Sequence, residues 1–253
     1  MMALATGTIE AYWMPGCSSC LRMKEFIQKS GRDWVAINVD ERTDVRAELE
    51  ARDMIPPVAR LGDRWVNGVD LAAVAELIDV PYEPPVIMPA QDLVDRYDLN
   101  LDVARGIISV MTDEMFVFSL PNRERQMFDL ANQVASVMRA FLQAYYDDHH
   151  TTQSYGKPVE VQTKQDLLDR LDETRRLFNA WWEEDGFDDP LDRVTQTYWG
   201  YPTLLEVLER EVWHTTQHIR QLDYVLKEFD VVPPIPLTEA NLAGLPLPVG
   251  IHE

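Results

Sequence analysis

The sequence predicts two folded parts, an α/β domain over residues 1–80 and an all-α four-helix bundle over residues 90–230. Three observations carry that reading. Up to residue 80, short runs rich in β-branched and aromatic residues alternate with segments of helical period. Residues 81–89 hold Pro81, Pro84, Pro85 and Pro89, which no helix interior tolerates, so this stretch is a stiff linker. Beyond it, apolar residues recur at helical spacing over four stretches of roughly 20 residues each, with no strand pattern between them.

In the first part, Thr8–Trp13 reads as a strand, Leu21–Ile27 as a helix behind Cys17-Ser18-Ser19-Cys20, and Trp34–Asp40 as a second strand. Residues 44–53 form a charged helix, Pro57–Leu61 a third strand, and Arg64–Asn67 a fourth across a Gly62-Asp63 turn. Asp70 caps a last helix, Leu71–Ile78. The order is β-α-β-α-β-β-α. In the second part, helices run from about Ala90 to Met111, Glu124 to Tyr146, Thr163 to Glu184, and Thr203 to Phe229. Leu120-Pro121-Asn122-Arg123 breaks the chain before the second of these, and Thr163-Lys164-Gln165-Asp166 opens the third with a capping-type start. Residues 231–253 contain several prolines and read as an irregular tail.

The chain has two cysteines, three positions apart. A helix N-terminus offers unpaired N–H groups and the positive end of the helix dipole, and both favour thiolate over thiol. Cys17 takes that position, and Cys20, one turn on, can reach back to resolve a mixed disulfide formed at Cys17. Taken alone, CxxC is also half of a structural zinc site. A second CxxC is absent, and a strand–CxxC–helix setting does not suit a zinc ribbon.

The motif between first strand and first helix, Pro57 before the third strand, and Gly68-Val69-Asp70 after the fourth resemble the glutaredoxin branch of the thioredoxin fold. The resemblance covers residues 7–80. It implies thiol–disulfide oxidoreductase chemistry with Cys17 and Cys20 catalytic, a cis proline at Pro57, and thiol binding by Pro57, Gly68 and Asp70. Ser18 and Ser19 stand where the family usually has proline and an aromatic residue, and Pro56 replaces the usual residue before Pro57. Arg22 and Lys24 lie close enough in sequence to assist the thiolate.

His214 and His218 of the last helix are i and i+4, so both imidazoles leave one helical face a turn apart, and Glu211 shares that face. That spacing lets one metal ion take two nitrogens from one helix. The stretch resembles the final helix of DinB-like metal-binding bundles, over residues 90–230, where such a pair joins a third histidine from the second helix. The resemblance implies a divalent metal (zinc, nickel or similar) at His214 and His218, with Gln133 or Glu211 as third ligand or pocket residue. Gln133 falls where the family histidine sits, and glutamine is a poor transition-metal ligand. A metal-free polar pocket, with Gln133 bonded to the two histidines, therefore stands beside the metal reading. His149 and His150 lie roughly four turns further on and would need a sharp bend to take part. Asp147–His150 accordingly reads as a solvated helix end, and Phe178, Trp181, Trp182, Trp199 and Trp213 as core or pocket wall.

The formal charge is −20, of which residues 1–80 hold −4 and the rest −16. Such a surface repels phosphate backbones, so no nucleic-acid partner is expected, and most of the charge is a solvated face. No run approaches the roughly 18 apolar residues of a membrane span. Met1–Gly7 lack a basic stretch and a long apolar core, so no secretory signal and a cytoplasmic location are expected. Taken together, the two resemblances imply a thiol-dependent enzyme of transferase or isomerase type. The first domain handles a low-molecular-weight thiol such as glutathione, the bundle acts on a small substrate, and a homodimer is compatible with both. Two other functions fit the same residues: a plain dithiol oxidoreductase whose bundle docks a partner, and a non-catalytic redox or metal sensor.

Overall fold

Period-two alternation along β1 (Ile9–Trp13) organises the first unit, with Ile9 and Ala11 buried on one face of a sheet and Tyr12 on the other. The computed structural model describes residues 7–119, 125–150 and 160–252. Residues 1–6, which carry most of the leader reading, and the Leu120–Arg123 break lie outside them. β1 pairs in parallel with β2 (Trp34–Asn38) and antiparallel with β3 (Val58–Leu61). β3 pairs antiparallel with β4 (Arg64–Asn67), so the order is β2-β1-β3-β4.

Helices cover both faces. Ile9, Ala11, Ala59 and Leu61 pack on Met23 and Ile27 of α1 (Ser18–Lys29) and on Val74, Leu77 and Ile78 of α3 (Leu71–Ile78). Opposite, Tyr12 and Val58 pack on Val45 and Leu49 of α2 (Thr43–Glu50). This is the thioredoxin-like arrangement, and it fixes the start of α1 at the end of the central strand β1. The helix begins at Ser18 instead of Leu21, because Cys17 already serves as its N-cap. Contacts divide the chain into Met1–Val86 with Pro248–Glu253, and Ile87–Leu247. In the first unit the Glu25 carboxylate on α1 accepts the N–H groups of Val249 and Gly250 at 2.8 and 2.7 Å.

The second unit is a helical bundle. Its long members are α4 (Ala90–Val110), α6 (Met127–Asp147), α7 (Lys164–Trp181) and α8 (Leu204–Glu228), with a short α5 (Asp113–Val117) between the first two. α8 packs on α4 and α6, and α7 packs on the same two, so the four close a square. Tyr97, Phe141, Phe178 and Trp181 fill one part of the core in edge-to-face and tilted ring contacts, with centroids 4.8–6.3 Å apart. Capping boxes start α7 at Thr163–Asp166 and α8 at Thr203–Glu206.

Further departures from the sequence expectation lie in the third long helix and the tail. The third long helix does not stay α-helical to Glu184; after Trp181 it widens into a π turn, Trp182–Gly186, in which the Phe187 N–H reaches the Trp182 carbonyl at 2.9 Å. Gly186 sits there against the Trp181 ring, and a Cβ would come within 2.7 Å of it. The tail is not irregular throughout: Glu239–Leu242 forms a one-turn helix, α9, whose buried Asn241 bonds Asn100 of α4 at 2.8 Å. No described helix is long and apolar enough to cross a membrane.

Because the Thr203 hydroxyl and the Glu206 carboxylate satisfy donors at the start of α8, Thr203→Ala is expected to lower the unfolding free energy by about 1 kcal/mol. Urea denaturation checks this: the midpoint falls while the slope holds.

Candidate functional site

In the first unit, the end of β1 delivers the CxxC motif to the start of α1. Cys17 and Cys20 are joined as a disulfide with Cα atoms 5.1 Å apart, a separation that one helical turn provides. Cys17 is half-buried at the N-cap, and its Sγ accepts the Cys20 N–H at 3.1 Å. Cys20 is fully buried. The first cysteine of the pair is thus partly exposed and the second is closed to solvent. Ser18 and Ser19, the residues between them, are also buried.

Pro57 and Gly68 come together as a pair. The Pro56–Pro57 bond is cis, Pro57 is buried, and its carbonyl accepts the Gly68 N–H at 2.7 Å. A Cβ at Gly68 would fall 2.1 Å from Met23 Sδ of α1 and 2.9 Å from Pro57 Cβ. Glycine is therefore what lets the cis-proline segment and α1 share this space. Asp70 is exposed and occupied as the cap of α3, accepting the Ala73 N–H at 3.0 Å. Lys24 stacks its ammonium 3.8 Å from the centre of the Trp13 ring.

In the second unit, α8 presents Glu211, His214 and His218 along one face. The two imidazole centroids are 4.6 Å apart. Glu211 is fully buried, and it is a hub: Oε1 meets the Arg210 guanidinium at 2.5 Å and His150 Nε2 at 3.2 Å, while Oε2 lies 3.5 Å from His214 Nδ1. Burial would raise its carboxyl, but the Arg210 charge with His150 and His214 overrides that and holds it well below the usual range. Arg210 also donates to the Tyr198 hydroxyl at 2.7 Å and lies 4.1 Å from the centre of the Trp199 ring. His218 is buried and pairs its Nδ1 with Gln221 Oε1 at 3.1 Å.

His150 corrects the sequence reading. Asp148 adopts a left-handed conformation (φ 56°) that stops α6. His149–His150 (β5) then pairs with Gln196–Thr197 (β6), which turns the chain back to Glu211. His150 is thereby buried in the network and is not part of a solvated helix end. Its only sequence signal was a pair of histidines directly after a long helix.

The metal expectation fails the donor test. Gln133 offers its carbonyl oxygen to the Arg125 guanidinium at 2.5 Å, Glu211 is engaged by Arg210, and His150 and His214 stand on opposite carboxylate oxygens. Among the described residues no three His, Cys, Asp or Glu side chains are set to hold an ion. Burial pushes the His214 imidazole below its ordinary pKa against the pull of Glu211, and the charges of Arg210 and Arg125 add to the fall. Two nearby guanidinium groups and a neutral amide do not suit a divalent cation.

Residues 9–65 match the Glutaredoxin family model, so the first unit is a glutaredoxin-like domain. No protein of curated function matches the chain. Among solved structures the chain is similar to a protein assigned to the DinB family from Exiguobacterium sibiricum 255-15, at 21% identity and a TM-score of 0.46, over 60% of this chain and 98% of that one. It is also similar to a glutathione S-transferase from the Antarctic clam Laternula elliptica (13%, TM-score 0.31, 95% and 93%). A glutathione S-transferase from Xanthobacter autotrophicus Py2 gives 15%, 0.30, and 91% and 96%.

Two outcomes follow from this geometry. Gly68→Ala is expected to destabilise the first unit by about 1–3 kcal/mol, because Met23 and Pro57 must both move; thermal denaturation of the variant reads this. A histidine kept neutral in the fold takes up protons more readily when unfolded, so stability is full above pH 6.5 and is lost as pH falls below that value. His214→Gln should flatten that part of the stability–pH profile.

Proposed function

We propose that the protein is a thiol-dependent enzyme in which Cys17 exchanges disulfides with a low-molecular-weight thiol and the bundle binds the small substrate of the coupled reaction. The observation that carries the first half is the asymmetry of the disulfide: Cys17 is reached by solvent at a helix N-cap while Cys20 is buried behind it. In the reduced form the Cys17 thiolate attacks a mixed disulfide R–S–S–R′ and expels one thiolate. Cys20 then attacks the Cys17 sulfur and expels the other, which leaves the intramolecular disulfide. Two thiol molecules return the two electrons: the first opens the disulfide at Cys17, and the second removes the first as its own disulfide. Glutathione is the obvious thiol to try, since the domain match is to glutaredoxin.

Pro57 and Gly68 support the same reading as thiol contacts, because the Pro57 carbonyl accepts the Gly68 N–H and so holds the two residues together beside α1. Asp70 would assist from the cap of α3. In the bundle, the half-buried His214 stands on α8 with the buried polar side chains of Glu211, His218 and Arg210, and this polar cluster supports a small polar substrate. No metal-bound step is invoked, because the donor set does not support one.

The test is a glutathione-coupled disulfide reduction assay on the full chain. Cys17→Ser is expected to abolish turnover, and Cys20→Ser, treated with oxidised glutathione in the absence of free thiol, to hold glutathione on Cys17 as a mixed disulfide visible by intact mass. If Cys17→Ser turns over like the wild type, the reading fails.

A further inference from the structure

We propose that the groove between α6 and α7 is a separate ligand site in the bundle, and that it takes the head group of an α-amino acid, with the carboxylate on Arg170 and the ammonium on an acidic rim. The site uses none of the α8 residues described above and does not rest on the thiol chemistry of the first unit.

Arg170 on α7 is a charge without a counter-charge. It is half-buried, and among the described residues its hydrogen bond goes to Ser136 Oγ of α6, at 3.3 Å, with no ion pair. Other arginines on the same helices are matched: Arg105 by Asp172, Arg139 by Glu173, and Arg175 by Asp98 and Asp102. Nη2 is given to Ser136 and Nε is closed off from solvent, so Nη1 is the nitrogen left for a ligand. Burial, and then the Arg139 charge, hold this guanidinium below its ordinary pKa against the pull of Glu173, and an anion at Nη1 would offset both.

Buried polar atoms behind Arg170 are also short of partners. Ser136 is fully buried and accepts from Asn132 Nδ2 at 3.2 Å. Asn132 is 1% exposed, yet its Oδ1 has no hydrogen-bond partner among the described residues, and neither has Arg170 Nε. Native interiors leave few such atoms, and each calls for a water, an ion or a ligand.

There is room for one. A cavity of about 440 Å³ is lined by Arg170, Val161 and the carboxylates of Glu160, Asp166, Asp169 and Glu173. Small-ligand clefts run from roughly 300 to 1,000 Å³. Asp166 is occupied at the start of α7 and Glu173 by Arg139, whereas Glu160 and Asp169 are exposed and meet no cation among the described residues. A lone anion would reach Arg170 only past these carboxylates, and a lone cation would meet the guanidinium beneath them. A carboxylate and an ammonium joined through one carbon satisfy both signs. That head group is carried by free amino acids and by the γ-glutamyl end of a glutathione-type thiol, and the probes below separate the two.

The experiment uses the isotope-labelled full chain, with the shielded Arg170 Nε–H resonance, identified by its absence in Arg170→Lys, as the NMR reporter. L-alanine, propionate (the same skeleton without the ammonium) and ethylamine (without the carboxylate) are titrated separately. S-methylglutathione, which carries the head group but cannot exchange disulfides, is the fourth probe. L-alanine or S-methylglutathione is expected to shift the signal saturably, with propionate and ethylamine binding about tenfold more weakly or worse. Whichever of the first two binds more tightly identifies the source. Read from the backbone amides of α7, Arg170→Gln should weaken binding about tenfold or more, with partial recovery in Arg170→Lys. Glu160→Gln combined with Asp169→Asn should remove the preference for alanine over propionate. Both of those positions are exposed, so this variant decides the matter even where Arg170→Gln fails to fold.

Propionate or ethylamine binding the wild type as tightly as alanine overturns the proposal. So does saturation by neither amino-acid probe, equal affinity in Arg170→Gln, or a preference that survives loss of both rim carboxylates. Disulfide exchange measured on the wild-type chain reports the thiol reading separately, so either can fail while the other stands.

Discussion

A carboxylate with no exposed surface, Glu211, is the constraint around which the bundle chemistry is arranged. An ionised carboxyl in the interior is tolerated only with partners, and removing one member of such a pair costs about 3–5 kcal/mol. Arg210 supplies the charge from the neighbouring position, and Tyr198 and Trp199 hold that guanidinium by a hydrogen bond and a ring face. His150 and His214 complete the shell from two different parts of the chain. His149–His150 and the β6 strand are therefore not loose connections. They are drawn to α8 because the buried charge needs what they carry.

That same network decides how His214 behaves. Burial favours its neutral form, the Arg210 and Arg125 charges add to that, and Glu211, 3.5 Å from its Nδ1, pulls the other way without overcoming them.

The first unit solves a different problem, that of keeping one sulfur accessible and its neighbour shielded. Cys17 caps α1 and Cys20 falls one turn inside it, so the helix itself sets the asymmetry. Met23, next on the inner face, is wedged against Gly68, and Gly68 against Pro57. The packing of α1 and the conformation of the cis-proline segment thus depend on each other. Glu25, further along α1, binds the backbone of Val249 and Gly250, which makes the last described residues part of this unit and not of the tail that precedes them.

The sequence by itself determined the two-part architecture, the strand and helix order of the first unit, the four long helices of the second, the Asp70 and Thr163 caps, and Cys17 as the sulfur at a helix start. Each of these is a local property: alternation, helical period, a capping side chain, a motif with its flanking strand. The i, i+4 spacing likewise put His214, His218 and Glu211 on one face. Tertiary structure alone decided what those faces meet. A single left-handed residue, Asp148, reversed the chain and carried His150 into the interior. Arg125 and Arg210 took the positions from which their charges reach His214. Neither event leaves a periodic trace, because charge compensation is settled between residues far apart in sequence once burial has removed water as the alternative partner.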